Sequence, residues 1–511
     1  MIRSYLHPMM FSALFHLLKY LNIDSTWLVI MAPKLLQGVA AAIGDFYLYL
    51  LSKSLFGKDT AKWALTCQLI SWYMFVCIVR TYSNSIETIL FVISLYYFPL
   101  PLKQQPSEKN YKIWNNIQIS VVLTTFAFVI RPTTCIMWLY LVPLYIVKNV
   151  RSVKSLFKFI IVDCFIPFAL AFGISIAIDY IYYGQITIVA YNFLYFNVVK
   201  NISSFYGTHP FHWFFTQGFP TIAYTTLPIF ILSYYQLYKK GDTQRLHLAN
   251  VAWFTIFFYS LLAHKEFRFI MPILPIVMIY AGHFISSLLN ITQSTKKESK
   301  STKDDHPSTS ASQSTPTTKP IYITLIGILL LLNIPMIVFF TTFHQRSPID
   351  IMHYINSDIS PLYPANGNAN VSVHLLMSCH ATPFQSYVHN PRVNLKMLEC
   401  PPPIHQLHDD HQTQTQTQTQ SVLYQTEKDI FYADPRKYLT TRYNLTPPKL
   451  SKFQKPNDRQ TTTTDNNNNK VIIMEIPDYF IINDDLVDQF LNTTAISKYY
   501  KQKQTVVITT K

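Results

Sequence analysis

Of 511 residues only 14% are charged, while 50% are apolar and 15% aromatic; ordinary globular chains carry roughly 25% charged residues. The balance excludes a set of ordinary soluble domains and predicts a polytopic α-helical membrane protein, whose low mean hydropathy of +0.16 reflects a polar tail after residue 343. The net charge of +15 would suit nucleic acid, but its placement, set out below, excludes that partner.

The chain opens with "YLHPMMFSALFHLLKYLN" (5–22), apolar with His7, His16 and Lys19 interspersed, which predicts a helix lying in the membrane plane. Apolar runs near the length of a membrane span follow at 28–51, 63–79, 84–100, 159–182, 221–238, 248–263, 269–290 and 321–343. A longer run, 115–147, is interrupted by Arg131-Pro132-Thr133-Thr134. A charge and a proline resist burial in hydrocarbon, so this run predicts two short spans meeting at the break, about ten spans in all.

Alternate loops then hold very different numbers of basic residues. One set contains Lys53, Lys58, Lys62, Lys103, Lys109, Lys112, Lys148, Arg151, Lys154, Lys158, Lys239, Lys240, Arg245, Lys296, Lys297, Lys300, Lys303 and Lys319. The other contains Arg80, Arg131, Lys200, Lys265 and Arg268. Lys and Arg gather on the cytoplasmic side, so the richer set is cytoplasmic and the positive charge is mostly an orientation signal.

This orientation predicts five segments. Residues 1–27 are a remnant of a first lumenal loop, and 28–290 are a transmembrane core with a lumenal loop at 183–220. Residues 291–320 are a cytoplasmic linker too polar to fold, 321–343 the last span, and 344–511 a small lumenal α/β or α+β domain. Starting on the lumenal side with no signal sequence predicts that a leading span is missing. Within the tail, "VSVHLLM" (371–377) and "VIIMEIP" (471–477) are β-like, whereas "QTQTQTQTQ" (412–420) and "TTTTDNNNN" (461–469) look like disordered insertions.

Cys67, Cys77, Cys135 and Cys164 lie in or beside apolar spans and fit as packing residues. Cys379 and Cys400 lie in the tail, on the side where oxidation is permitted, and are a candidate disulfide. Asn201, Asn370 and Asn492 head glycosylation-type triplets on the same side.

Chemistry concentrates in His264-Lys265-Glu266-Phe267-Arg268-Phe269, a lumenal turn between two spans. So many ionisable groups at a membrane boundary must pair or bind something. Arg and Lys suit a lipid-linked phosphate, and interfacial snorkelling with an internal pair around Glu266 is the other reading. Arg80, in "RTYSNSIE", and Arg131, in "IRPTT", start turns on the same side; they can face the same phosphate or cap helix ends. A second candidate is "FYGTHPFHWFFTQGFP" (205–220), in which Tyr206, His209, His212, Trp213 and Gln217 compose a possible glycan platform or an interfacial aromatic belt. His209 and His212 have metal-compatible spacing but no evident third ligand, so no metal is expected. Asp45, Asp163 and Asp179 lie within spans and fit structural pairing. A transporter or lipid-translocating protein is the competing function class; only one broken helix is visible, without the second copy an inverted repeat requires.

"HKEFRFIMPILP" (264–275) resembles the signature of glycosyltransferase family 22, the dolichyl-phosphate-mannose-dependent mannosyltransferases. "NFLYFNVVKNISSFYGTHPFHWFFTQGFP" (192–220), "RTYSNSIET" (80–88), "IRPTT", "SPIDIMHYI" (347–355), "SCHATPFQSYVH" (378–389) and "KDIFYADPRKYL" (428–439) are similar to the branch of that family that builds GPI anchors. The resemblance runs with gaps from Arg3 to Leu439 and implies a GT-C fold in the endoplasmic reticulum membrane. It also implies inverting transfer of the third, α-1,2-linked mannose from dolichyl phosphate mannose to the GPI-precursor glycolipid, without metal or other cofactor. His264, Lys265, Arg268 and Arg131 would stabilise the departing phosphate. The family's catalytic acidic residue lies in an Asp-Glu type motif after its first span; neither Asp24 nor Asp45 matches it, so this chain is expected to lack that motif.

Overall fold

The computed structural model describes residues 2–100, 115–301, 319–402, 424–443, 461–464, 470–473, 478–483 and 509–510. It comprises two compact units, Met1–Phe343 and His344–Lys511.

The first unit is helical: α1 Leu6–Tyr20, α2 Thr26–Phe56, α3 Lys58–Ile70, α4 Trp72–Cys77, α5 Ser83–Tyr97, α6 Asn116–Ile130, α7 Cys135–Asn149, α8 Val153–Phe157, α9 Ile166–Tyr183, α10 Val189–Leu194, α11 Phe219–Ala223, α12 Thr226–Lys239, α13 Thr243–Ser260, α14 Leu274–Ser301 and α15 Lys319–Val338. Among the described residues four helical stretches are long and apolar enough to cross a membrane: Thr26–Phe56, Val153–Tyr183, Phe267–Leu289 and Thr324–Leu362. The remaining predicted spans are shorter helices. Side chains cap several of them: Ser25 accepts from the Leu28 amide at 3.4 Å and Asp242 from the Arg245 amide at 3.1 Å, filling donors that a helix start leaves unpaired.

The structure differs from the sequence expectation at three places. The run 63–79 is broken at Ser71, where the Trp72 amide, left without a helical acceptor, donates to Asn333 Oδ1 at 3.1 Å. Buried Asn333, otherwise costly in an apolar helix, thereby stitches α15 to the break. Second, the polar stretch expected to stay unfolded from 291 is helical through Ser301 as the end of α14, because Lys, Glu and Gln are good helix formers even without an apolar face; residues 302–318 lie outside the described set. The break at Arg131 is a helix break: α6 ends at Ile130, and a 3₁₀ turn over Pro132–Thr134 leads into α7.

The three aspartates within apolar stretches are all hydrogen-bonded. Asp45 accepts from Gln68 at 3.0 Å and Asp163 from Asn115 at 2.7 Å. Asp179 accepts from the Ser4 hydroxyl at 2.9 Å and the Tyr5 amide at 2.7 Å, fixing the start of α1 to the end of α9.

The second unit is α/β. Its sheet has the order β2-β1-β5-β6, with every pairing parallel, from β1 Val371–Leu376, β2 Val393–Met397, β5 Tyr479–Asn483 and β6 Thr509–Thr510. Helices at Glu427–Ala433 and Pro435–Arg442 contribute Phe431 and Leu439 to a core with Leu376, Phe480 and Ile482. Cys379 and Cys400 are disulfide-bonded, with Cα atoms 6.2 Å apart. The third difference lies here: Thr461–Thr464, expected within a disordered insertion, is strand β3, paired antiparallel with β4 Lys470–Ile473, as suits β-branched threonine. The run 412–420, residues 465–469 and Asn492 lie outside the described residues.

Candidate functional site

The turn 264–269 and the loop 205–220 form one structure, joined by hydrogen bonds to backbone groups of the loop. The His209 amide donates to the Ala263 carbonyl at 3.0 Å. Lys265 is buried, 3% exposed, and its ammonium donates to the carbonyls of His209, at 2.9 Å, and Leu262. It thus tethers the loop to the turn, and burial lowers its pKa. His264 Nδ1 lies 2.8 Å from the Gly207 carbonyl. Gly207 sits at φ 108, a region open to glycine and strained for other residues.

The other charges of the turn form a chain. His264 Nε2 lies 3.0 Å from Glu266 Oε1, which also accepts from Arg268 Nη2 at 2.9 Å. Burial works to raise the Glu266 pKa, but the hydrogen bonds from His264 and Arg268 and the guanidinium charge outweigh it and hold the group at about 2. The hydrogen bond to Glu266 raises the His264 pKa, against burial. Arg268, 44% exposed along its side chain, keeps open faces and lies 5.9 Å above the Tyr82 ring.

The Arg131 break also meets this turn. Arg131 lies 5.5 Å from the Phe269 ring centroid and forms a buried ion pair with Glu87, Nε to Oε2 3.0 Å. Glu87 also accepts from Thr134 at 2.6 Å, and Arg131 donates to Ser83 at 3.3 Å. Asn84, on the same turn of α5 as Ser83, donates to the Arg268 carbonyl at 2.9 Å. Arg80 is exposed and reaches the Tyr82 hydroxyl at 3.4 Å.

Of the loop residues, Trp213 is buried and stacks on His209 at 4.5 Å and against Phe267 at 4.9 Å. His212 bonds Thr216 at 3.2 Å. Tyr206 is 58% exposed with its ring 6.3 Å from His264, and Gln217 is exposed. Asn201 is exposed at φ 49. In the second unit Asn370 accepts from Arg392 at 3.2 Å. The group Cys379, His380 and Cys400 is close enough to hold a metal, but its two thiols are joined in the disulfide.

Sequence reasoning missed Glu87 and Arg3. Glu87 lies in an otherwise uncharged helix, and an intramembrane carboxylate demands a partner; that was a usable signal. Arg3 is exposed before α1 and feels the charges of Arg131, Arg268, Glu87 and Glu266. No local pattern marks it. Chemically the site offers a run of cations, two of them already balanced by carboxylates, beside an aromatic loop. This can take an anionic group with an apolar or sugar-bearing substituent.

Residues 1–389 match the Alg9-like mannosyltransferase family. Mannosyltransferase APTG1 of Arabidopsis thaliana is 36% identical over 78% of this chain and 68% of its own length. GPI alpha-1,2-mannosyltransferase 3 of Bos taurus is 34% identical over 86% and 69%, and that of Homo sapiens 33% identical over 87% and 68%. Among solved structures, ArnT of Cupriavidus metallidurans bound to undecaprenyl phosphate superposes at a TM-score of 0.45 with 13% identity, over 78% of this chain and 76% of that one.

Proposed function

The chain belongs to the Alg9-like mannosyltransferase family, and from that premise we propose that it transfers an α-1,2-linked mannose, the third of the GPI-anchor core, onto the GPI-precursor glycolipid. It is a multi-pass membrane enzyme whose donor is a lipid-linked sugar. We take that donor to be dolichyl phosphate mannose, the membrane to be the endoplasmic reticulum, and the helical unit to be a GT-C core of about ten spans with the site on its lumenal face. What carries this reading is the identity of 33–36% to GPI α-1,2-mannosyltransferases and their kin over most of the chain, joined to a cationic turn that fits a lipid phosphate. The relatives lend a transporter no support.

Arg268 is open to the phosphate, His264 supports it through their shared carboxylate Glu266, and Arg131 backs it from the helix break. As the mannosyl–oxygen bond breaks, negative charge grows on that phosphate, and fixed cations in a water-poor site stabilise it. Lys265 holds the loop and turn together. Neither carboxylate here suits the general base that takes the acceptor proton: Glu266, held at about 2, is too weak, and Glu87 is sealed against Arg131. Tyr206, His209, His212 and Gln217 flank the turn as the acceptor glycan surface, and buried Trp213 supports it by stacking on His209. Asn201, Asn370 and Asn492 remain proposed glycosylation sites, and no cofactor enters this account.

Membranes from cells expressing the full protein, supplied with dolichyl phosphate mannose and GPI lipids of one, two or three mannoses, test it. The two-mannose lipid alone should gain a mannose. Transfer to another acceptor, or none to the two-mannose lipid, overturns the assignment.

A further inference from the structure

The chain before α1 is fixed with unusual care. The Ser4 hydroxyl and Tyr5 amide both donate to Asp179, at 2.9 and 2.7 Å, and Ser4 and Asp179 are buried. The Tyr5 ring stacks on Tyr182 at 4.7 Å, and the Tyr183 hydroxyl donates to the Arg3 carbonyl at 2.6 Å. Satisfying a buried carboxylate explains two of these contacts. Three of the four hold Ser4 and Tyr5 and the last holds the carbonyl of Arg3, whose guanidinium lies 5.4 Å over the Phe193 ring.

Phe193 belongs to α10, which packs against α6 and the 3₁₀ turn that follows Arg131. The clamp therefore brings Arg3 beside the helix break that carries Arg131. Glu87 is committed to Arg131, and Glu266 to Arg268 and His264. Arg3 has no carboxylate within ion-pair distance among the described residues. Arg3 is exposed and stays charged at neutral pH, with the like charges of Arg131 and Arg268 near it. A cation without a carboxylate partner, close to two others, favours an anion that joins them.

We propose that Arg3 is a further binding residue for the phosphate of the lipid-linked donor, and that Asp179 is its positioning residue, acting through Ser4 and Tyr5. This rests on the transferase reading above and extends it to a segment outside the 264–269 turn. A guanidinium presents paired donors to phosphate oxygens, and Arg3 would close the side of the anion that Arg268 and Arg131 leave open. The exposed apolar residues Ile188, Tyr191 and Leu194 around Phe193 offer the lipid chain a surface beside it.

The test uses the purified full protein, with dolichyl phosphate and the uncharged dolichol as probes, in wild type, Arg3→Ala, Arg3→Lys and Asp179→Ala. Arg3→Ala should weaken dolichyl phosphate binding at least about tenfold, the scale of a charge-assisted hydrogen bond, and leave dolichol binding unchanged. Arg3→Lys should recover part of the loss, and Asp179→Ala should give the same phosphate-selective loss. Wild-type affinity for dolichyl phosphate in Arg3→Ala, or equal losses for both probes, overturns the proposal. Mannose transfer is measured in parallel: wild-type protein that binds dolichyl phosphate without transferring mannose defeats the transferase reading, while the ratio between the two probes still decides Arg3.

Discussion

Arg131 and Glu87 meet at 3.0 Å with side chains 5% and 0% exposed, the guanidinium at a helix break and the carboxylate on the neighbouring helix. Removing one partner of a buried pair leaves the other charge uncompensated, at a cost of ~3–5 kcal/mol. Glu87→Gln should therefore lower the unfolding temperature markedly in detergent, and adding Arg131→Gln should restore most of it without restoring transfer. An undiminished melting temperature for Glu87→Gln would show that the pair does not hold the break.

The His264–Glu266–Arg268 chain ties site chemistry to pH. The His264 pKa is raised from 6.5, so what its bonds contribute as a cation is whole below 6.5 and lost as pH rises through the raised value. The Glu266 pKa is depressed from 4.5 to about 2, so its contribution is present above 4.5 and lost as pH falls towards 2. Glu266→Gln removes the main cause of the histidine's shift. The alkaline limb of dolichyl phosphate binding should then move to lower pH than in wild type; superimposable pH profiles would separate His264 from phosphate recognition.

Lys265 ties loop to turn through two carbonyls. Lys265→Met keeps its bulk but leaves those acceptors without their donor, at ~1–3 kcal/mol for a buried unsatisfied group. Limited proteolysis should then cut faster within 205–212. Unchanged cleavage would mean that the His209–Ala263 backbone bond suffices.

Helices α3 and α14 approach closely at Gly282. A Cβ there would stand 2.4 Å from the Ala64 nitrogen and 2.8 Å from the Thr60 carbonyl oxygen, and backbone cannot yield as a side chain can. Gly282→Ala should force the helices apart, at ~1–3 kcal/mol or more, as small residues at membrane helix contacts imply. A thermal midpoint equal to wild type would contradict that packing.

Much of this was legible in the sequence where a feature is local. Charge density marked 264–268, aromatic density marked 205–220, and Arg131-Pro132 marked the helix break. What escaped was long-range. The link between His209 and Ala263 runs through the backbone, which no side-chain pattern announces, and Arg3 gains its surroundings only when Asp179, far along the chain, folds against Ser4. The break at Ser71 escaped because its freed amide is satisfied by Asn333, a single polar residue in an otherwise apolar run. Helix α14 ran past the polar boundary at 291 because hydropathy reports where a membrane can end, whereas helix propensity decides where a helix ends.

The most direct test of the central claim is the rate of mannose transfer from dolichyl phosphate mannose by the full protein carrying Arg268→Ala, at equal protein level. The open guanidinium is expected to meet the charge growing on the phosphate. Transfer should fall by about a hundredfold or more, the scale seen when a donor to a developing anion is removed; turnover equal to wild type would contradict the phosphate site at this turn.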